Sequence, residues 1–204
     1  MRHTKIYKHI SLALFAFSIS SCTTFQGEYR DPTEVEILDT KWNETDARKT
    51  SEILITSMLK KPWLRRHYAE HSGAKPTIIV DGVVNRTEEH IDTKAMIEAI
   101  RNEMLNSGEV RFVNSEGRGA ILEEITYQTQ SGMVDPSKAK QAGKQLGAGY
   151  MLSGNLSSQV HRQGNTKSIT YQTVLYLTNL ETAELVWSEK YDIKKRFKNA
   201  SASW

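Results

Sequence analysis

The chain has 204 residues, 38% of them hydrophobic, with 27 Lys and Arg against 24 Asp and Glu. The formal net charge of +3 sits wholly in Arg2, Lys5 and Lys8. From Cys22 onward acids and bases balance, without the marked basic excess that nucleic acid selects. Cys22 is the only cysteine, which excludes a disulfide within one molecule.

Residues 1–21 read as a leader rather than as part of the fold. The basic start is followed by an apolar stretch from Ile10 to Ile19, too short to span a bilayer as a helix. It ends in Ile19-Ser20-Ser21-Cys22, an aliphatic residue and two small ones before a cysteine, which is the pattern of a bacterial lipobox. The chemistry requires a thiolate to take up the diacylglyceryl group, so Cys22 is the predicted lipidation site. Thr23 stands where an Asp would favour retention in the inner membrane, so what is known of lipoprotein sorting implies the outer membrane. Residues 22–40 read as the lipidated cysteine and a short polar tether, with Val35, Ile37 and Leu38 able to lie against the domain. Residues 41–196 are expected to form one globular domain and 197–204 a tail; about 180 residues after the leader are enough to enclose a core.

In chain order, Asp39 to Asp46 leads into a helix whose apolar face carries Leu54, Ile55, Met58 and Leu59, and Pro62 stops it. Trp42 plugs the edge of the core. The stretch Trp63 to His71 reads as a solvated, partly aromatic connector. His67 and His71, four apart, have the spacing of a metal pair, but no third ligand is evident and no metal site is expected. Ile78-Ile79-Val80 with Val83 and Val84 is a short β-branched run, as a buried strand would be. Asn85-Arg86-Thr87 follows as a polar loop, and Asp92 or Thr93 caps a helix with Met96, Ile97, Ile100 and Met104 on one face. Such a loop, held between two packed elements, is a natural place for function.

Gly108 ends that helix, and Val110 to Val113 is a short strand. Arg118 to Gln130 reads as a helix with Ile121, Leu122 and Ile125 inward. Asp135-Pro136 opens another, with Ala139, Ala142 and Leu146 on its small-residue face and Gly147 at its end. The glycines from Gly143 to Gly149 do not make a phosphate loop, since the spacing is wrong and no Ser or Thr follows Lys144. Tyr150 to Val160 and Ile169 to Leu180 alternate as strands, with His161 to Lys167 a polar loop between them. The last strand opens at Leu185. Lys194 to Lys198 reads as a frayed basic tail. The predicted fold is α/β (α+β): a small, mostly antiparallel sheet of about four strands packed against about four helices.

No nucleophile elbow, His-Glu-x-x-His or carboxylate pair in an apolar setting is present, and the adjacent pairs Glu88-Glu89 and Glu123-Glu124 read as solvated faces. No catalytic residue, cofactor or enzymatic activity is therefore expected.

From Asp39 to Lys194 the chain resembles the LpoB family, outer-membrane lipoprotein activators of bifunctional (class A) penicillin-binding proteins. The matching pieces are Asp39-x-x-Trp42-Asn43, Val80-Asp-x-Val-x-Asn-Arg-Thr87 and Ile91-Asp92-Thr93. Further matches are Ser107-Gly108-x-Val-x-Phe112, Gln145-Leu-Gly-Ala-x-Tyr150-x-Leu152 and Glu184-Leu-Val-Trp187. The resemblance implies a lipid-anchored, monomeric regulator on the periplasmic face of the outer membrane that docks on a peptidoglycan synthase and raises its activity in cell-wall synthesis. It also implies a partner-binding surface of Asn85, Arg86 and Thr87, with Ser153 close by in the sheet. The sequence departs from the family in two ways: the tether is much shorter than in enterobacterial members, and Ala183 stands where the family often has Gly. A second hypothesis is a structural lipoprotein of an outer-membrane secretion or flagellar-type assembly. A third is a glycan- or metal-binding module using the basic tail or His67 and His71.

Overall fold

The computed structural model describes residues 27–31, 34–35, 39–114, 116–140 and 147–198. The leader, Cys22, Ile37, Leu38 and the last six residues lie outside that range. Residues up to Glu34 and those from Val35 onward are separate units. In the first, the Arg30 guanidinium lies 3.2 Å from Glu28 and 3.5 Å from Glu34.

The second unit opens with α1, Glu44–Lys60. Its start is set by a reciprocal cap: Asn43 accepts from the Asp46 N–H, and the Asp46 carboxylate accepts from the Asn43 N–H. Leu54, Ile55 and Met58 form its buried stripe. Pro62 does end α1, but it also begins α2, Pro62–Glu70, at the position where a missing N–H costs nothing. The predicted solvated connector is thus a helix that buries Trp63, Leu64 and His67.

Strand β1, Thr77–Asn85, follows, and then α3, Thr93–Ser107, capped by Asp92 and stopped by Gly108 in the left-handed region at φ 67°. Met96, Ile100 and Met104 are buried, as their spacing predicts. The short β2, Arg111–Phe112, and α4, Arg118–Gln130, come next. Helix α4 buries nothing: Ile121 is 39% and Leu122 51% exposed, and Ile125 is half-buried, so the expected inward face is not formed. Asp135 caps a turn over Pro136–Lys138 through the Ser137 N–H and hydroxyl, and residues 139 and 140 are not helical. The rest of the helix expected there, residues 141–146 with Ala142 and Leu146, lies outside the described residues.

The three long strands are β3, Tyr150–Gln163, β4, Thr166–Asn179, and β5, Leu185–Lys198. The loop expected from His161 to Lys167 shrinks to Gly164 and Asn165. With Gly164 at φ 53°, a two-residue turn matches the twist of the flanking strands, so pairing continues through residues too polar to announce a strand. Nor is Lys194–Lys198 a frayed tail: it pairs in register with β4 from Thr170 to Thr166. Lys195 is buried, its ammonium 2.5 Å from Asp46 and 2.6 Å from the Lys41 carbonyl oxygen.

The sheet order is β2-β1-β3-β4-β5. The meander β3–β5 is antiparallel, as predicted, but β1 runs parallel to both β2 and β3, so the sheet is mixed and has five strands rather than about four. A parallel partner for β1 is the natural outcome when a helix separates it from β2. One face of the sheet buries Ile78, Val80, Leu152, Leu156, Ile169, Tyr171, Leu175 and Leu177 together with the stripes of α1 and α3. Gly154 belongs to that face as well; a Cβ there would sit 2.5 Å from Leu175 and 2.6 Å from the Val174 carbonyl.

Candidate functional site

The loop between β1 and α3 is closed by its own side chains. Asn85, half-buried at the end of β1, accepts from the Thr87 N–H at 2.9 Å and the Thr87 hydroxyl at 2.8 Å, and its amide donates to the Glu89 carbonyl at 2.8 Å. The Glu89 N–H donates back to the Thr87 hydroxyl oxygen at 3.1 Å. Asn85 and Thr87 therefore spend their polar atoms on holding the loop.

Arg86 differs. Its backbone N–H donates to the Leu156 carbonyl at 2.7 Å, extending the β1–β3 ladder by one residue. Its side chain is exposed and forms no ion pair among the described residues, with Glu88 and Glu89 included. A guanidinium on a fixed backbone, with five donors uncommitted, can take a carboxylate bidentately.

Ser153 is half-buried on the face of β3 opposite the core, in register with Gly82 of β1 and Tyr176 of β4. Alternation along β1 puts Val84, and Arg86 after it, on that same face. Arg86 is level with Ser157, so Ser153 lies four positions back along β3, roughly 13 Å away. Of the four expected partner-facing residues, Arg86 and Ser153 share a surface, while Asn85 and Thr87 shape the loop.

Sequence reasoning missed Glu89, which was expected on a solvated face. Its carboxylate turns inward, accepting from the Tyr171 hydroxyl at 2.6 Å and the Trp42 N–H at 3.2 Å. The same hydroxyl lies 3.0 Å from the Thr40 carbonyl oxygen, and the Trp42 ring meets Tyr171 edge-on at 5.4 Å. Burial, and then Glu89, hold the Tyr171 phenol far above its ordinary range. Asn85, Thr87 and Glu89 alternate, which on an extended chain puts them on one side; that was the available signal. Beside the loop an open groove of about 600 Å³ is lined by Trp42, Ala47, Glu88, Ile91 and Asp92 among others.

His67 and His71 stack with ring centroids 4.0 Å apart and planes 17° apart. His67 Nδ1 lies 2.9 Å from the Tyr150 hydroxyl oxygen, and its ring also bonds the Ala74 backbone; His71 Nδ1 donates to the His67 carbonyl at 2.9 Å. Burial, and then the neighbouring His71, lower the pKa of His67. The pair thus packs the end of α2 onto β3, and no group of three potential ligands surrounds it among the described residues.

A family model for the peptidoglycan-synthase activator LpoB matches residues 46–193. The chain belongs to the LpoB family. Curated relatives with the name penicillin-binding protein activator LpoB include that of Escherichia coli K12, 28% identical over 57% of this chain and 51% of that protein. The one from Cronobacter turicensis is 29% identical over 60% of this chain and 52% of its own length. The chain spans about half the length of the curated relatives it matches. Among solved structures, the LpoB C-terminal domain from Salmonella enterica covers 72% of this chain and 98% of its own, at 20% identity and a TM-score of 0.42. The matched interval of the LpoB model includes the Asn85–Glu89 loop and Ser153, while Cys22 lies before it.

Proposed function

We propose that this chain is a lipid-anchored, non-enzymatic LpoB-type activator that docks on a class A penicillin-binding protein through Arg86 and the adjoining open sheet face. Cys22 carries the lipid and holds the domain at the periplasmic face of the outer membrane. No helix among the described residues is long and apolar enough to cross a membrane. In this reading the domain works as a monomer at the end of its tether. Family membership and the relatives' names support the partner class. The observation that carries the site is Arg86: an exposed guanidinium without an ion pair among the described residues, on a loop where Asn85 and Thr87 are already satisfied.

Activation follows from differential binding. A regulator that binds one conformation of the synthase more tightly than another shifts the population toward it and needs no chemistry of its own. Arg86→Ala is expected to weaken binding to the synthase by about 30-fold or more, as loss of a central Arg hot spot does, and to abolish stimulation. Because the side chain is exposed and forms no ion pair or side-chain hydrogen bond among the described residues, thermal stability is expected to be unchanged. Pull-down from solubilised membranes with wild type and variant, followed by a glycan-polymerisation assay, tests this; full stimulation by the variant removes Arg86 from the site. For the anchor, Cys22→Ser is expected to move the protein from the membrane pellet to the soluble fraction.

A further inference from the structure

The β3–β4 turn and the end of β5 gather cations at one end of the sheet. Arg162 and Lys167 are register partners across the hairpin, so two like charges face each other directly. Arg196 and Lys198 pair with Ser168 and Thr166 and alternate onto the opposite face, away from Lys167, Lys195 and Phe197. None of the four forms an ion pair among the described residues. Arg162, Lys167 and Phe197 line an open groove of about 420 Å³ together with Asn165 and Thr166, and its one carboxylate, Asp39, accepts a hydrogen bond from the Lys41 N–H. Lysines on an edge strand discourage pairing with other chains, which accounts for those of β5. It does not account for Lys167, which sits on β4 between two paired strands. Like charges placed directly opposite on a sheet are destabilising, so the pair weakens the hairpin unless an anion occupies it.

The same groove includes Asp39 and Thr40. The continuous run of described residues that begins at Asp39 therefore starts at this basic end. Asp39 lies seventeen positions after Cys22, a reach of at most roughly 60 Å when fully extended.

We propose that the groove at this end of the sheet is a docking surface for anionic phospholipid, with Arg162 and Lys167, which face each other across the hairpin, binding headgroup phosphates. The short tether then holds the domain against the membrane instead of letting it swing free. The choice of a membrane over other polyanions rests on the lipid anchor proposed at Cys22.

The test uses the chain from residue 23 onward, which lacks that cysteine, in flotation with phosphatidylcholine vesicles with or without about one-third phosphatidylglycerol. A failed anchor and a failed docking surface thereby give separate results. Each Lys or Arg near an anionic surface strengthens binding about fivefold. The chain is expected to float with the anionic vesicles alone, and Arg162→Glu with Lys167→Glu to weaken that binding about 25-fold or more. Lys60→Glu with Lys75→Glu, the same charge change on exposed lysines away from this end, is expected to leave it intact; circular dichroism checks that both variants fold. Equal flotation with neutral vesicles, or equal loss in both double variants, overturns the proposal. So does retention on purified peptidoglycan through the same residues without vesicle binding.

Discussion

Tyr171 has one phenolic hydrogen and two acceptors, the Thr40 carbonyl and the Glu89 carboxylate, and that conflict defines what Glu89 tolerates. In Glu89→Gln the amide donates to the phenol oxygen and accepts from the Trp42 N–H, which frees the phenol to serve Thr40. Every polar atom keeps a partner, and the cost is expected to stay below about 1 kcal/mol. Glu89→Ala leaves the Trp42 N–H without its acceptor and unties the loop from the core, at about 1–3 kcal/mol. Urea denaturation of both variants measures the difference, and equal costs would place Glu89 outside the network. His67 supplies a pH dependence. The folded chain keeps its imidazole neutral to lower pH than the unfolded chain, which protonates it near 6.5. The unfolded state thus binds more protons as pH falls below about 6.5, so stability declines there and levels off below the folded pKa. Glu70, Arg66, His71 and Tyr150 surround the ring and shape this limb. His67→Gln is expected to flatten it, read as Tm against pH between neutrality and the carboxylate range.

At the scale of elements, period and packing separate. The stripes of α1 and α3, the alternation of β3 and β4, and the caps at Asp92 and Gly108 were legible because each is local: a cap or a repeat needs only neighbours. Three things were not. The polar ends of β3, β4 and β5 are strands because they pair with one another, and no single strand carries that information. The parallel placement of β1 depends on where α3 returns the chain. Helix α4 has an apolar count but buries none of its residues, and Ile121 and Leu122 remain exposed. Leu122→Ser is accordingly expected to cost under about 0.5 kcal/mol, while Ile100→Ala, in a fully buried stripe, costs about 2–5 kcal/mol. A comparable loss for both would mean that α4 packs in solution. The turn before β5 carries a strain. Ala183 sits at φ 59°. Its Cβ makes that region costly by about 1–2 kcal/mol, so Ala183→Gly is expected to stabilise the domain by about 1 kcal/mol, seen as a rise of about 2–4 °C in Tm.

Across the whole molecule, the first helix and the last strand are joined by one buried contact. Lys195, on the core side of β5, meets the Asp46 carboxylate at 2.5 Å with both side chains under 10% exposed, and its ammonium also reaches the Lys41 carbonyl. Asp46 in turn closes the α1 cap with Asn43. One cation therefore fixes the start of α1, the segment entering it and the edge of the sheet. Tyr171 and Glu89 grip the adjoining residues Thr40 and Trp42 from the other side. The partners are 149 positions apart in sequence, which is why a run of basic residues near the end of the chain looked like a solvated tail. Taking one member away leaves the other charged and buried, so Lys195→Ala is expected to destabilise by about 3–5 kcal/mol. Lys195→Met in an Asp46→Asn background removes both charges and keeps the volume and the cap acceptor. It is expected to recover most of that loss, because a buried pair contributes little beyond what an apolar replacement supplies. A double-mutant cycle in urea reads the coupling directly. Strict additivity of the two single changes would mean that the pair is solvated, and that the core side chains alone hold α1 to β5.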